Sequence, residues 1–294
     1  METLESLSAM LETTDDIRSI VRTMKSLSAV SIRKYEQAED ALSGYERTID
    51  LGLAALLHDR RARGLPLLGG APSASAKEAL IVIGSDRGMC GRYNDIAFRA
   101  ARDGIGAQTS VLAVVGARVA ARLEAAGHRV DRRFAVPGTV AGMSSLVQGI
   151  IIDIDAWTHG EGVGHVRVLH NRREKRARAV PVDLPLLPVP ESHLKRLLDT
   201  PWPGPGLPFF RMDTGRLLSR LVRQRLFVVL YRALAEALAS EHATRLAAMQ
   251  SAERNIDERR EGLRSRFRQR RQETITRELM DLVSGFEAVN APQE

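Results

Sequence analysis

Cysteine is almost missing. Cys90 is the only one in 294 residues, which excludes an internal disulfide framework and any cysteine-cluster metal site. Lysine is scarce too: Lys25, Lys34, Lys77, Lys175 and Lys195 are the only five among 43 Lys+Arg. The net charge of +7 therefore rests on guanidinium groups. These stay charged at any physiological pH and make forked contacts with carboxylates or phosphates. Aromatic residues are 4% of the chain, too few for a wide aromatic-filled core. No uninterrupted apolar run approaches the ~18 residues that cross a bilayer. The opening Met-Glu-Thr-Leu-Glu is acidic and lacks the basic-then-apolar order of a signal peptide. The expectation is a protein neither secreted nor integral to a membrane.

What is present is helical periodicity at both ends. From Glu2 to His58 there is no Pro, and Gly occurs only at 44 and 52. Ile17, Ile20, Met24 and Leu27 step by three and four, which reads as a helical seam. A single helix from about Thr3 to Leu57 would be on the order of 80 Å long, too long to wrap one compact core. At the other end, Asp213 and Thr214 are good helix caps, and no Pro follows until after Val289. One helix of roughly 75 residues is expected there, on the order of 110 Å. Near its end Ile275, Leu279, Leu282, Phe286 and Val289 step by four and three, a heptad seam that needs a partner. The amino-terminal seam has the same period.

Between these helices the composition changes. A Gly/Pro/Ser/Ala-rich linker spans Arg63 to Ser75. Ala79 to Gly84 and Val111 to Gly116 are short, β-branched apolar runs, each followed by a helical pattern, which is the βαβ reading with strands buried on both faces. Val163 to His170 and Ala179 to Val189 read as further strands. Pro181, Pro185 and Pro188 push the second of these to an edge. Thr200 to Pro208 is too rich in Pro and Gly for regular structure. The expected fold class is α/β: a long antiparallel coiled coil of amino- and carboxy-terminal helices with an inserted Rossmann-like α/β domain. The divisions are an amino-terminal helix at 1–60, the globular domain at 77–198 and a carboxy-terminal helix at 212–290.

The search for chemistry yields little. The loop Gly84 to Gly91 lies where α/β domains often cradle phosphate, but its spacing is neither Gly-x-Gly-x-x-Gly nor the Walker form. A tight loop with close backbone approach is the favoured reading. Arg87 and Arg92 could activate a Cys90 thiolate. No histidine lies nearby in sequence, so a buried, inert thiol is favoured. The seven histidines show no metal-ligand spacing, and no Gly-x-Ser-x-Gly elbow occurs. No catalytic residue, metal site or cofactor is expected. The chain reads as a mechanical or binding component.

Arg254 to Gln272 carries eight arginines against Asp257, Glu258 and Glu261, with apolar positions reduced to Ile256, Leu263 and Phe267. So polar a helix is either a solvated face or a contact for an acidic protein surface. With a pI near 10.0, a nucleic-acid-binding coiled coil is the alternative, although aromatic residues for base stacking are not interleaved. A Rossmann-like enzyme with dimerisation arms is a third reading, and it would require the phosphate loop.

Three segments resemble the γ subunit family of F-type ATP synthases. The first is Asp16 to Leu27, continuing through Arg33 to Ala38. The second is Ser85-Asp86-Arg87-Gly88-Met89-Cys90-Gly91-Arg92-Tyr93-Asn94, similar to the family loop Ser-Asp-Arg-Gly-Leu-Cys-Gly-Gly-Tyr-Asn. The third is Ser240 to Met249 together with Arg271 to Gly285, similar to Arg-Gln-x-x-Ile-Thr-x-Glu-Leu-x-Glu-Ile-Val-x-Gly. Their order along the chain also matches. Arg92, Arg277 and Ser28 to Ser31 depart from the family pattern, and residues 100–200 match poorly, which points to a divergent, alternative bacterial branch.

The resemblance implies a central rotor stalk, one copy per complex. Its partners are the α and β subunits of the F1 ring, the ε subunit and the membrane c-ring, with no nucleic acid. Its place is the cytoplasmic face of the bacterial inner membrane, held peripherally in a proton- or sodium-transporting complex. The resemblance further implies that Met24, Lys25, Arg271, Gln272, Thr276 and Glu278 contact β subunits. Ile275, Leu279, Leu282, Val283 and Phe286 would form an apolar bearing tip. Ser85, Asp86, Arg87, Gly88, Cys90 and Gly91 form the family loop.

Overall fold

A computed structural model describes residues 3–66, 76–174, 178–200 and 210–290, without the side chains of 286–290. Of the expected linkers Arg63–Ser75 and Thr200–Pro208, residues 67–75 and 201–208 lie outside the described residues, as does the side chain of Phe286. The elements in chain order are α1 (Leu4–Asp40), α2 (Ser43–Ala62), β1 (Lys77–Ile83), α3 (Tyr93–Gly104), β2 (Thr109–Val115), α4 (Ala117–Ala125), β3 (Arg132–Phe134), α5 (Val140–Gly160), β4 (Val163–Arg173), β5 (Ala179–Leu187), α6 (Glu191–Asp199) and α7 (Thr214–Asn290). Residues form two compact units, 1–27 with 246–294, and 28–245. Both α1 and α7 contribute to each unit, so compactness does not divide the chain at the ends of its helices.

The expected single amino-terminal helix is two. A turn at Ala41 and Leu42 separates α1 from α2, tightened by a bond from the Leu42 amide to the Glu39 carbonyl at 3.0 Å. Ser43 and Gly44 follow, both weak helix formers, and Leu42 packs against the core. At the other end the expectation of one helix holds. Asp213 Oδ1 accepts the Arg216 amide at 2.9 Å, and α7 continues unbroken for 77 residues.

In the unit 28–245 a five-stranded sheet has the order β3-β2-β1-β4-β5. The first four strands are parallel and β5 is antiparallel. β5 carries Pro181 and Pro185 and lies at the edge, where a missing amide costs no ladder bond. Strand residues alternate between faces. Leu80, Val82, Leu112 and Val114 pack on α3 and α4. Ala79, Ile81, Ile83, Val111, Ala113 and Val115 face the other way, into a larger core shared with α5 and α7.

Two features of that larger core were not foreseen. α5 is the one helix, among the described residues, long and apolar enough by length and composition to cross a membrane. Polar residues interrupt its sequence, which hides the average hydropathy from a search for unbroken runs. Its Met143, Val147, Ile150, Ile154 and Trp157 are buried in the core beside the sheet. The second is the stretch of α7 from Leu226 to Ala239, whose Leu230, Ala233, Leu234, Ala235, Ala237 and Leu238 are buried in the same core. This part of the long helix is a packed element of the α/β unit. A third cluster joins Leu53 and Leu57 of α2, Leu194 and Leu197 of α6, and Leu218, Leu221 and Val222 of α7.

Candidate partner-contact surfaces

The family loop sits at the end of β1 and is built from its own polar atoms. Ser85 is wholly buried; its Oγ donates to the Arg87 carbonyl at 2.9 Å and accepts from Asn94 Nδ2 at 2.8 Å. Asn94 Oδ1 accepts the Ser85 amide at 3.2 Å. Asp86 ties two other segments down. Its Oδ1 accepts the amide of Ala117, the first residue of α4, at 2.7 Å, and its Oδ2 accepts the amide of Val136 at 2.8 Å. A carboxylate at that helix start satisfies an orphan amide and complements the helix dipole.

Close backbone approach explains the glycines. A Cβ on Gly84 would stand 2.4 Å from Val119 Cγ2. Gly116, with φ +103°, passes so near that a Cβ would be 2.7 Å from the Ser85 amide nitrogen. Gly91 has φ +56°, a conformation that L side chains disfavour. Cys90 is buried, and burial pushes its thiol pKa up, the opposite of what a nucleophile needs.

The loop holds α7. The Arg245 guanidinium donates to the Gly88 carbonyl at 3.3 Å and to Glu241 Oε1 at 2.5 Å. Both of those side chains are almost fully buried. Burial raises the Glu241 pKa, while Arg245 pulls it back down. Tyr93 crosses to the same helix, its hydroxyl bonded to the Ala237 carbonyl, while its own carbonyl accepts from Asn171 Nδ2 at 2.9 Å. His242 stacks on Tyr35 of α1 with ring centroids 5.7 Å apart. His170 Nε2 meets Glu236 Oε2 at 2.6 Å. The sequence singled out the loop and the Ser240–Met249 segment separately. Tyr35 lies in the family-like Arg33–Ala38 segment, but its pairing with His242 carries no local signal, and neither do His170 and Glu236, because the partners lie far apart in sequence.

In the unit formed by 1–27 and 246–294, α1 and α7 run antiparallel along an ionic ladder. Asp15 pairs with Arg260 at 2.6 Å, Arg18 with Asp257 at 2.6 Å, and both Arg22 and Lys25 with Glu253 at 3.1 and 2.6 Å. Hydrogen bonds from Lys25 and Arg22 hold the Glu253 carboxyl below its usual range, and the Arg18 bond does the same for Asp257. The buried α1 positions here are Leu7, Thr14 and Val21, one heptad apart. On α7, Met249 and Leu263 are buried, with Ile256 and Phe267 half-buried.

Both seams read from sequence are therefore corrected. Ile17, Ile20 and Leu27 are exposed, at 47%, 58% and 63%, and Met24 is half-buried. The α1 side that meets α7 is mixed, with Leu7, Thr14 and Val21 buried and Arg18 and Lys25 paired with acids beside them. Ile17, Ile20 and Leu27 lie off that side. The tip seam has no α1 to pair with: carried back at the register of the ladder, α1 runs out opposite about residue 271. Ile275, Leu279, Leu282 and Val283 are accordingly exposed, Leu282 most at 71%.

Arg271, Gln272, Thr276 and Glu278 are exposed on the same helix. Lys25, by contrast, is engaged with Glu253. Part of the arginine-rich stretch is also engaged within the chain: Arg260 with Asp15, Arg268 with Glu261 at 3.4 Å and Arg270 with Glu273 at 2.8 Å.

Comparison with known proteins identifies the family. The family model described as ATP synthase matches residues 3–289. The ATP synthase gamma chain of Zymomonas mobilis is 29% identical, covering 98% of this chain and 100% of its own. That of Granulibacter bethesdensis is 27% identical with the same coverage. Among solved structures, a chain of the Euglena gracilis mitochondrial ATP synthase, OSCP/F1/c-ring, superposes with a TM-score of 0.68 at 16% identity, over 99% of this chain and 97% of that one. A chain of the Tetrahymena thermophila central stalk and c-ring gives 0.56 at 17% identity, over 79% and 99%. Nothing in these matches supports the nucleic-acid alternative. The chain belongs to the γ subunit family of F-type ATP synthases, the central stalk of the rotary complex.

Proposed function

We propose that this chain carries torque between a membrane c-ring and the nucleotide sites of the β subunits, as a single copy with no catalytic site, metal or cofactor of its own. The observation that carries the reading is the burial of α7 residues 226–245 within the α/β unit, fastened by Tyr93, Arg245 and the family loop. A turning force on the sheet then passes into a helix that continues, without a break in its hydrogen bonding, to residue 290. A coiled coil is stiff along its axis. A stalk of two unlike helices is asymmetric, so each of the three catalytic sites around it meets a different face and binds nucleotide with a different affinity.

The contact residues are those the family resemblance implies, and the exposure of the four on α7 supports the reading. Arg271, Gln272, Thr276 and Glu278 are free to meet acidic and carbonyl groups of β. Met24 and Lys25 would act from α1, Lys25 through its pairing with Glu253. The exposed Ile275, Leu279, Leu282 and Val283, with Phe286 next along the sequence, suit an apolar bearing tip that turns with few polar bonds to break. The ε subunit binds the α/β unit, and the complex sits on the cytoplasmic face of the bacterial inner membrane. Co-expression with α, β, ε and c subunits should yield a complex with one copy of this chain and ATP-driven ion pumping. Pumping that persists when the chain is omitted would refute the reading.

A further inference from the structure

A cavity of about 380 Å³ in the unit 28–245 is lined by residues of α2, β4, β5, α6 and α7. Its charges do not balance. Glu46 accepts two bonds from Arg232, at 2.9 and 2.5 Å. Glu236 is taken by His170. Asp50 lies 3.2 Å from His193 Nε2 and 3.9 Å from Arg196. The three carboxylates thus have cationic or imidazole neighbours, while Arg225 and Arg172 form no ion pair among the described residues.

Arg225 is the informative one. Its Nε and Nη1 are shielded from solvent and have no hydrogen-bond partner among the described residues. Burial lowers its pKa, with Asp50 and Glu46 opposing. His193, in the same lining, already has Asp50 Oδ1 3.2 Å from its Nε2 and Arg196 2.7 Å from its Nδ1. Buried donors without acceptors are rare, because desolvation is then uncompensated. Two such donors on the one Arg225 side chain, in the wall of a cavity, point to a missing acceptor with several oxygens. A planar guanidinium fits a tetrahedral oxyanion through paired N–H donors. The volume is near the lower end of small-molecule sites, about 300–1,000 Å³, so the cavity has room for more than a bare ion.

We propose that this cavity binds an oxyanion of the phosphate class, free or as the phosphoryl group of a small molecule, with Arg225 as principal donor and His193 and Arg172 as supports. The site is separate from the partner contacts above and stands whether or not they do.

The full-length chain can be titrated calorimetrically with inorganic phosphate and with glycerol 3-phosphate, at constant ionic strength set with chloride. Saturable binding at one site is expected, weakened about tenfold or more, or ~1.4 kcal/mol, in Arg225→Gln. Without phosphate, Arg225→Gln should be no less stable than the parent, since it removes an orphaned buried charge. Arg172→Gln, on an exposed side chain, should fold normally and weaken binding severalfold, and it decides the matter if Arg225→Gln does not fold. Tighter binding of glycerol 3-phosphate would assign a phosphorylated small molecule, and tighter binding of inorganic phosphate the free anion. No saturable binding of either probe, equal affinity in parent and variants, or equal binding of citrate would overturn the proposal.

Discussion

The hydroxyl of Tyr93 donates to the carbonyl oxygen of Ala237 at 3.1 Å, and both residues are wholly buried. Tyr93 opens α3, immediately after the family loop, while Ala237 lies deep in α7. The bond joins the end of the sheet's first βα connection to the long helix. Tyr93→Phe keeps the ring and leaves only the carbonyl without this donor, so a loss of about 1 kcal/mol is expected. Tyr93→Ala empties the pocket as well and should cost about 3–5 kcal/mol. Urea midpoints at unchanged slope would measure both.

Arg245 and Glu241 form an ion pair with almost no exposure. Removing one partner strands a buried charge. Arg245→Ala should therefore destabilise by about 3–5 kcal/mol. The double variant Arg245→Met with Glu241→Leu should cost less than Arg245→Ala alone, because no lone charge remains. A double variant worse than the single would show that the pair is worth more than its desolvation.

His242 has its pKa lowered to about 4 by burial, with Arg245 and Arg87 adding to the effect. Between pH 6.5 and about 4 the unfolded chain takes up a proton that the folded chain refuses. Stability is therefore full above 6.5 and falls as pH drops through that window, by about 3 kcal/mol at most. Glu241, with its raised pKa, acts in the opposite sense. The informative quantity is the difference between the parent and His242→Phe, which keeps a ring against Tyr35. The variant should lose much of the acid slope in denaturant unfolding; an unchanged slope would mean His242 titrates normally.

How much of this was legible in the sequence depends on the range of the signal. Strands β1, β2, β4 and β5 could be read because apolar runs and prolines act locally. The 77-residue α7 could be read from its lack of Pro and its Asp213 cap. The three-residue strand β3 is too short to carry a pattern, and α5 hid its apolar side among polar residues. The helix seams were misread for a physical reason. Periodicity shows that a helix has an apolar side, not what covers it. Ile17, Ile20 and Leu27 are exposed, whereas Leu7, Thr14 and Val21 are buried and Arg18 and Lys25 beside them meet α7 through ion pairs that a hydrophobicity pattern cannot register. The loop residues Ser85 to Asn94 were recognised by resemblance; their partners Glu241, Arg245 and Ala237 needed the fold.

The exposed carboxy-terminal surface can be altered without touching the fold. Arg271→Ala with Gln272→Ala should leave thermal unfolding unchanged and uncouple ATP hydrolysis from ion pumping in reconstituted vesicles. Pumping at the parent's ratio to hydrolysis would remove these residues from the contact set.

Leu282 is largely exposed in the chain alone. Leu282→Asp should therefore fold normally and yet lower the recovery of intact complex severalfold on size exclusion. Parent-like recovery would argue against an apolar bearing at the tip.

The central claim is that this chain turns within the ring. The direct measurement fixes the complex to a surface through its β subunits and attaches a bead to an exposed cysteine introduced into the α/β unit of this chain. Bead rotation in one direction on addition of ATP is predicted, stopping when ATP is removed. Steady ATP hydrolysis with a stationary bead would contradict the account.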